Sequence, residues 1–292
     1  MPPVIKLLRP QQWLKNLFVF MPLFFSGNML HIVPALASVI AFLSFSAAAS
    51  AIYALNDLID VEADRLHPTK RFRPIAAGLI SPVTAIATLV ILAAVAIALP
   101  MMLPQPAALY TIIIIGAYLI LNIAYTLWLK QFALIDIFII ALGFVLRVAA
   151  GGAAALIPVS HWIIIMTFLL ALFLALCKRR DDISLYRNEG KKMRRNIDKY
   201  NLSYINQAIT MVATIMLVSY IMYTLSPEVE ARFGTNLVYV TSIFVLAGLL
   251  RYMQLATVYD RTGSPTRILL HDRFIQITVL AWLLTFAAII YC

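Results

Sequence analysis

The chain has 292 residues, of which 63% are hydrophobic and only 12% are charged, and its mean hydropathy is +0.91. This composition excludes a soluble globular domain and is typical of a polytopic α-helical membrane protein. The formal net charge is +10, but the basic residues are spread over a few loops and form no separate basic domain. The sequence therefore predicts a protein of the membrane bilayer, with no nucleic acid among its partners.

Nine apolar segments are candidates for transmembrane helices, each of which needs roughly 20 apolar residues. We predict spans at residues 17–32, 35–55, 82–99, 107–125, 134–154, 162–177, 204–225, 237–256 and 274–291. Residues 5–15 carry mixed charge and are expected at the membrane interface, with Trp13 as an anchor. No cleavable signal peptide is expected. The prediction is an all-α fold with nine transmembrane helices in a single domain, residues 1–292.

Positive charge alternates between the predicted loops. Basic residues follow the second, fourth, sixth and eighth spans, whereas the other loops hold almost none, with Arg232 as the exception. By the positive-inside rule, the N-terminus is then cytoplasmic and the C-terminus lies outside a bacterial inner membrane. This order places Cys177 at the cytoplasmic face and Cys292 at the outer face, so a disulfide between them is not expected. Nearly all acidic residues also lie in cytoplasmic loops, which predicts an active site at that face.

The most informative stretch is residues 56–64, NDLIDVEAD, which precedes the basic run HPTKRFRP. It should continue the second predicted helix, so that Asp57, Asp60 and Asp64 share one face at positions i, i+3 and i+7. The repulsion between these carboxylates requires a divalent ion, which prefers oxygen ligands, or the cations that follow. A solvated acidic helix end without chemistry is the alternative. It is disfavoured because charge beside a membrane helix is costly and usually functional.

Carboxylates beside lysine and arginine are the groups that bind a diphosphate. Mg²⁺ takes one or two carboxylates plus phosphate oxygens, and cationic side chains bind the remaining oxygens. We expect Asp57 and Asp60 to bind Mg²⁺ directly and Asp64 to bind a second ion or order water. Asn56 would contact a phosphate or a ribose hydroxyl. The residues expected to close over the phosphates are Lys70, Arg71 and Arg73.

A similar charged helix end follows the sixth predicted span, where residues 178–182 read KRRDD and a basic loop follows at 187–199. The two helix ends suggest an internal repeat and could face each other across one cavity. The alternative is that any cytoplasmic loop collects lysine and arginine. Lys178, Arg179 and Arg180 could bind a second phosphate group. Asp181 or Asp182 would then hold a metal or orient an arginine.

Two charged residues lie deeper in the fifth predicted span. Asp136 is a candidate contact for a substrate phosphate or hydroxyl. Arg147 lies about three turns further on, where a buried arginine costs roughly 2.5 kcal/mol or more. It is either an anion contact or a structural anchor between helices, and the sequence leaves both open. The four histidines are expected to be non-catalytic, and they are His31, His67, His161 and His271.

Asn56-Asp57-xx-Asp60-xxx-Asp64 with its basic loop resembles the first aspartate motif of the UbiA superfamily of intramembrane prenyltransferases. The stretches RPQQWLKN, NDLIDVEADRLHPTKRFRPIAAG, IALGFVLRVAAGG and TFLLALFLALCKRRDD resemble one branch, the decaprenyl-phosphate phosphoribosyltransferase-like proteins. The resemblance implies nine helices around a central cavity that opens to the cytoplasm and laterally to lipid. The remaining candidate substrate-binding residues are Lys15, Asn16, Tyr125 and Lys130.

The resemblance also implies a reaction. With Mg²⁺, 5-phosphoribosyl diphosphate would react with a polyprenyl phosphate to give polyprenyl-phosphoryl-ribose 5-phosphate and diphosphate, a step in cell-wall biosynthesis. One motif departs from the superfamily, because KRRDD stands where prenyltransferases have a second motif, DxxxD. A second Mg²⁺ site of the usual form is therefore not expected, and the added positive charge suits a substrate with an extra phosphate.

Two other functions compete with this one. A UbiA-type prenyltransferase would move a polyprenyl group from its diphosphate to an aromatic acceptor, and it shares the fold and the first motif. KRRDD counts against it. A cation-coupled transporter would use the aspartates as an ion site. It would need ionisable residues near the middle of the bilayer, whereas the acids here cluster at one face.

Overall fold

The computed structural model describes residues 2–66, 69–189, 197–260 and 262–291. His67, Arg261, Cys292 and residues 190–196 of the predicted basic loop lie outside these ranges. The described residues are mostly helical and contain no strand. Its α-helices are α1 (Pro3–Leu8), α2 (Met21–Phe25), α3 (Ile32–Ile59), α4 (Val61–Arg65), α5 (Pro82–Ala98), α6 (Ala107–Leu127), α7 (Ile135–Ala155), α8 (His161–Glu189), α9 (Leu202–Thr224), α10 (Pro227–Phe233), α11 (Ser242–Thr257), α12 (Pro265–His271) and α13 (Arg273–Tyr291). Its 3₁₀ helices are Pro10–Phe20, Lys70–Phe72, Leu99–Met102, Leu129–Gln131, Ile197–Lys199 and Leu237–Thr241.

Eight helices in the described ranges are long and apolar enough to cross a membrane. They are α3, α5, α6, α7, α8, α9, α11 and α13, with 3₁₀ extensions on α5 and α11. They match eight of the nine predicted spans. The ninth, residues 17–32, is not confirmed as a spanning helix, because it comprises the end of a 3₁₀ helix, the five-residue α2 and a turn. Pro22 cannot donate a helical hydrogen bond, and Gly27 takes a positive φ of 77° that ends the segment.

Contacts divide the chain into two compact units, one of residues 1–129 and 145–159 and the other of residues 130–144 and 160–292. The boundary runs within α7. The single domain predicted from the sequence stays a prediction. In the first unit, α3 buries a face of small residues against α5 and α6. Small side chains allow helix backbones to approach closely in a membrane, where the hydrophobic effect does not drive association.

The N-terminal segment runs antiparallel to α3 in this unit. Three contacts set its direction: Trp13 with Ser50 (Nε1 to Oγ, 3.1 Å), Asn16 with Ser46 (Nδ2 to Oγ, 2.9 Å), and Phe20 with Phe42 (ring centroids, 5.5 Å). As residue numbers rise in the segment, those of its partners on α3 fall. The predicted interfacial anchor, Trp13, thus has a specific partner on the helix.

Arg147 on α7 is buried, with only 5% of its surface exposed. Its Nε donates to Asn16 Oδ1 at 2.8 Å. Its guanidinium lies over the rings of Phe45 and Tyr118, 4.9 and 5.2 Å from their centroids. An aromatic face offers a partly desolvated cation an electrostatic partner. The geometry favours the structural alternative for Arg147, an anchor that ties α7 to the N-terminal segment.

Gly151 allows α7 to approach the same segment. A Cβ atom at this position would lie 1.8 Å from the carbonyl oxygen of Val19, a distance that no side chain tolerates. The backbone of the 3₁₀ helix therefore rests directly on the backbone of α7. This contact accounts for the glycine in the stretch RVAAGG.

In the second unit, α8 packs against α9 and α11, and α11 packs against α13. Phe173 and Tyr252 meet in the core, with ring centroids 5.5 Å apart. A separate polar cluster joins three elements: Trp282 Nε1 donates to the hydroxyl of Tyr220 at 2.7 Å, and that hydroxyl lies 2.7 Å from Thr241 Oγ1. Hydrogen bonds of this kind link helices where apolar surface alone gives little specificity.

We predict that Arg147→Met lowers the stability of the purified protein. The change removes the donor to Asn16 and the cation from between two rings, and should cost roughly 2 kcal/mol. Thermal unfolding in detergent measures the effect. Lys6→Met is the matched control, because Lys6 is an exposed cation in the same unit. Equal unfolding temperatures for the two variants would contradict the anchoring role.

Candidate active site

The acidic motif, residues 56–64, spans the junction between α3 and α4. α3 ends at Ile59, and Asp60 takes φ and ψ of −90° and 9° before α4 begins at Val61. Two backbone hydrogen bonds cross this break, from Asp60 N to Asn56 O at 3.0 Å and from Asp64 N to Asp60 O at 2.8 Å. The helical i to i+4 pattern thus continues across the break, as the sequence predicted. Asp57 and Asp64 are buried and Asp60 is half-buried.

Two guanidiniums neutralise the buried carboxylates. Arg73 Nη1 bonds Asp57 Oδ1 at 3.0 Å and Asp64 Oδ2 at 2.7 Å, so one nitrogen bridges the first and last aspartates of the motif. Arg9 forms a second ion pair with the same Oδ1 of Asp57. Arg73 was predicted to act near these carboxylates. Arg9 was not, because it lies 48 residues before Asp57 in the chain and reads as part of an interfacial lead-in.

The other two cations of the predicted basic run occupy different environments. Arg71 is exposed, and its guanidinium lies 4.9 Å from the centroid of the neighbouring Phe72 ring. Lys70 is half-buried and begins the short 3₁₀ helix Lys70–Phe72. Arg73 of this run contacts two of the aspartates directly.

Asn56 joins the acidic motif to the end of α6. Thr126 Oγ1 donates to Asn56 Oδ1 at 2.8 Å. Thr126 is buried, whereas the neighbouring Tyr125 is half-buried, as is Lys130 in the short helix that follows. The predicted candidates Asn56 and Tyr125 therefore belong to α3 and to the α6 end that it contacts, whereas Lys130 belongs to the second unit.

Lys15 and Asn16, also candidates, belong to the 3₁₀ helix Pro10–Phe20. Lys15 is half-buried, but Asn16 is fully buried. The Asn16 side chain donates to Ser46 and accepts from Arg147. These two bonds give Asn16 a structural role, and it stays only a prediction as a substrate ligand.

A second charged cluster lies in the second unit, around Arg179 on α8. Its Nη2 bonds Asp136 Oδ2 at 2.7 Å and its Nη1 bonds Asp182 Oδ2 at 2.7 Å. Arg179 is 1% exposed and Asp136 is completely buried. Removing one partner from such a pair leaves an uncompensated buried charge, which is strongly destabilising. The arrangement holds Asp182, which is half-buried, in a fixed position.

Tyr200 completes this cluster, and no sequence pattern pointed to it. Its hydroxyl accepts from the backbone N–H of Leu134 at 2.6 Å and donates to Asp136 Oδ1 at 3.2 Å. Leu134 has a positive φ of 67°, which is uncommon for a non-glycine residue. Burial raises the pKa of Tyr200 to about 12, so the hydroxyl keeps its proton at neutral pH. Tyr200 therefore fixes both the start of α7 and the orientation of Asp136.

The KRRDD run divides between two faces of α8. Arg180 donates to the carbonyl oxygens of Ala256 and Thr257 at the end of α11, and it pairs with Asp260. Asp181 accepts from Thr262 Oγ1 at 2.8 Å. Arg180 and Asp181 thus hold the loop after α11, with Arg180 satisfying helix-terminal carbonyls. Lys178 and Asp182 are both half-buried, and Asp182 pairs with the buried Arg179.

The carboxylates of the acidic motif in the first unit are suitable ligands for a divalent ion. No group of three carboxylate, histidine or cysteine side chains forms a ready-made metal site in the described ranges. Mg²⁺ does not require one, because it is usually bound by one or two carboxylates together with substrate phosphates and water. Within the described ranges, Asp57 Oδ2 is buried and has no hydrogen-bond partner. This unused oxygen, with Asp60 one turn away, is consistent with a metal ligand.

These features define a multi-pass membrane protein with a charged site at the ends of its helices, and comparison with known proteins gives its family. The chain belongs to the UbiA prenyltransferase family, whose profile matches residues 17–277. It is 38% identical to a decaprenyl-phosphate phosphoribosyltransferase of Mycolicibacterium smegmatis, over 99% of this chain and 92% of that protein. A protein of the same name from Corynebacterium glutamicum is 35% identical, over 99% and 86% of the two chains.

Solved structures share the fold. A UbiA homologue from Archaeoglobus fulgidus bound to GPP and Mg²⁺ superposes with a TM-score of 0.71 at 21% identity, over 99% of this chain and all of that one. A digeranylgeranylglyceryl phosphate synthase gives 0.67 at 18% identity, over 99% and 97%. At this identity the likeness establishes the fold. The UbiA fold predicted from the aspartate motif is thereby confirmed.

Tyr200→Phe should destabilise the second cluster. The change keeps the ring but removes the hydroxyl, so Leu134 N–H loses its acceptor and Asp136 loses a donor, at a cost of about 1–2 kcal/mol. Thermal unfolding in detergent measures the loss. Tyr204→Phe is the matched control, since Tyr204 is exposed and its ring centroid lies 6.3 Å from that of Tyr200. The network described here is wrong if both variants unfold at the wild-type temperature.

Proposed function

We propose that this protein transfers 5-phosphoribose from 5-phosphoribosyl diphosphate to a polyprenyl phosphate and releases diphosphate. The observation that carries the proposal is similarity over nearly the whole chain to proteins named decaprenyl-phosphate phosphoribosyltransferase. The charge of the two clusters agrees with it. The substrates would bring a diphosphate, a 5-phosphate and a lipid phosphate, and arginine and lysine are the side chains that bind such groups.

Asp57 and Asp60 are the proposed direct ligands of Mg²⁺, with Asp64 ordering a water or a second ion. When bound, Mg²⁺ would neutralise the diphosphate as it leaves the ribosyl C1. Asn56, held by Thr126, would present its amide to a phosphate or a ribose hydroxyl. The lipid phosphate is already an anion near neutral pH, so the reaction needs no general base.

The cations of the first unit would bind the phosphates of the donor. Arg73 already lies on the aspartates, and a guanidinium there can bind a metal-bridged phosphate bidentately. The other proposed phosphate-binding side chains of this unit are Lys15, Lys70 and Arg71, with Tyr125 as a hydroxyl contact. Lys130 is a further proposed phosphate-binding residue, and it belongs to the second unit.

In the second unit we propose different roles for neighbouring residues. Lys178 and Asp182, both half-buried, would contact substrate. Arg179, which is buried between two carboxylates, would act as a positioning residue that orients Asp182 and Asp136 rather than as a direct phosphate ligand. Asp136 would in turn act through this network.

The proposed membrane arrangement keeps the N-terminus at the cytoplasmic face of a bacterial inner membrane. The 3₁₀ helix Pro10–Phe20 and α2 run along α3. At 2.0 Å per residue for the former and 1.5 Å for the latter, they span roughly 30 Å, which is the thickness of the hydrocarbon core. We propose that this segment crosses the membrane as a ninth span, although neither of its two helices is long enough to span it alone. The C-terminus would then lie outside, and the catalytic cavity would open to the cytoplasm and to lipid.

A transfer assay tests the function. The purified protein in detergent, with Mg²⁺ and radiolabelled 5-phosphoribosyl diphosphate, should move label into the organic phase only when a polyprenyl phosphate is present, and excess EDTA should stop it. No such transfer, together with transfer from a polyprenyl diphosphate to an aromatic acid, would assign the protein to the ordinary prenyltransferases instead.

Asp60→Asn should reduce turnover by about 10²-fold or more, because a neutral amide is a poor ligand for Mg²⁺ beside a diphosphate. The same transfer assay measures the loss, and size-exclusion chromatography shows that the variant is folded. Glu62→Gln is the control, since Glu62 is an exposed carboxylate on α4 that pairs with Arg65. Near-normal turnover in Asp60→Asn would remove Asp60 from the metal site.

Lys178→Ala should raise the KM for one substrate about tenfold, the value of one charge-assisted hydrogen bond to phosphate. Steady-state kinetics with the donor and the lipid varied in turn identify which substrate is affected. Lys199→Ala removes an exposed cation from the same unit and should leave both KM values unchanged. If Lys178→Ala matches this control, Lys178 contributes only to membrane topology.

A further inference from the structure

Arg9 is held in place by the segment around it. Leu7, in α1, is completely buried, and the carbonyl oxygen of Leu8 accepts from Ser50 Oγ at 2.9 Å. Arg9 itself has φ and ψ of 52° and 60°, a left-handed conformation that L-residues rarely adopt. Its guanidinium pairs with Asp57 and lies 5.0 Å from the ring centroid of Tyr53. The backbone is therefore arranged to deliver this side chain to the first aspartate of the motif.

Arg9 and Arg73 together cover Asp57. The aspartate side chain is 1% exposed, whereas the two arginine side chains are 24% and 25% exposed. Both guanidiniums bind the same oxygen, Oδ1, and in the described ranges Oδ2 is buried without a partner. A metal ion bound to this carboxylate would therefore lie beside both guanidiniums.

Electrostatics decide which guanidinium moves. A divalent ion on Asp57 would place two more positive charges beside two arginines at contact distance, which is unfavourable when the site is partly buried. Arg73 keeps a second carboxylate, Asp64, when it loses Asp57. For Arg9, Asp57 is the sole ion-pair partner within the described ranges. Arg9 is thus the side chain that metal binding displaces.

We propose that Arg9 and the divalent ion compete for Asp57, and that the displaced Arg9 binds phosphate oxygens of the donor's diphosphate. The proposal rests on the proposed function for the presence of the metal and of a diphosphate. The ion alone must break an ion pair, and so it binds weakly. When a diphosphate binds as well, it gives Arg9 a new partner, and a planar guanidinium suits phosphate. Metal and donor therefore bind together, and a bare ion does not fill the site.

Two binding measurements on the full-length protein in detergent test the exchange without requiring turnover. The first titrates metal-free protein with Mn²⁺ and follows free Mn²⁺ by electron paramagnetic resonance. The second measures retention of labelled inorganic diphosphate at saturating Mn²⁺. Arg9→Gln should bind Mn²⁺ alone about fivefold more tightly or better, and should bind diphosphate about fivefold less tightly or worse. Lys6→Gln, an exposed cation of α1, should change neither value by more than about twofold.

The opposite signs of the two changes distinguish the exchange from simpler roles. A purely structural Arg9 would weaken both interactions, a simple phosphate ligand would leave Mn²⁺ binding unchanged, and a simple counter-ion would leave diphosphate binding unchanged. Each of these results overturns the proposal. If Arg9→Gln does not fold, Arg9→Lys provides the same test. The lysine ammonium is a point charge on a shorter side chain, so it should shift both affinities in the same directions as Arg9→Gln, but by a smaller factor.

Failure of the exchange and failure of the proposed function can be told apart. Neither Mn²⁺ nor inorganic diphosphate reports on ribosyl transfer, so opposite changes in Arg9→Gln would support the exchange even if the protein moved a prenyl group. Conversely, ribosyl transfer in the organic-phase assay with unchanged Mn²⁺ binding in Arg9→Gln would retain the function and reject the exchange.

Discussion

Asp57 and Asp64 are buried at the end of a helix long enough to span a membrane, and a buried carboxylate must be paired or bound to a metal. This requirement organises the first unit. Arg73, from the loop after α4, and Arg9, from the N-terminal segment that runs along α3, both form ion pairs with Asp57. Once the segment is in place, its polar side chains find partners on α3. Pairing with the buried carboxylates thus accounts for the positions of the Arg9 and Arg73 side chains. Contacts with α3 and α7 hold the rest of the N-terminal segment.

In the second unit, a buried carboxylate is likewise paired with an arginine that bridges two carboxylates. Arg179 bridges Asp136 and Asp182 as Arg73 bridges Asp57 and Asp64. In each case one guanidinium joins two carboxylates and holds a charged helix end rigid in the absence of substrate. Such preorganisation matters for a transferase that acts through positioning and electrostatics, because the groups need not reorganise as charge develops. The two bridges are built differently, because Arg73 comes from a loop onto two carboxylates of one motif, whereas Arg179 lies on α8 and joins a carboxylate of α7 to one of α8. The internal repeat suggested by the sequence stays a prediction.

Hydrophobicity alone was enough to predict eight of the spanning helices, because long apolar runs have few alternatives in a bilayer. The first predicted span is not confirmed, since Pro22 and Gly27 interrupt it and its partners on α3 stabilise a 3₁₀ helix instead. The aspartate motif was interpretable because its spacing is local. Arg9 and Tyr200 were not identified as contacts of the carboxylates, because Asp57 and Asp136 lie 48 and 64 residues away from them. Arg9 begins the stretch RPQQWLKN, but nothing in that stretch indicates an ion pair. Neighbouring residues of a helix point in different directions, so Arg179 and Arg180 lie on different faces of α8. The sequence does not show that Arg180 and Asp181 contact the loop after α11, because that loop is distant in the chain.

The buried bond between Asn16 and Arg147 has a consequence for biosynthesis. The two residues are 131 positions apart, so on a ribosome that adds 5–20 residues per second Asn16 enters the membrane on the order of 10 seconds before its partner exists. Until then the N-terminal segment has only α3 to pair with, and its glycine contact on α7 is also missing. The contacts of this segment with α3, including the Arg9–Asp57 ion pair, can therefore form early, whereas its contacts with α7 form only after about half of the chain has been made.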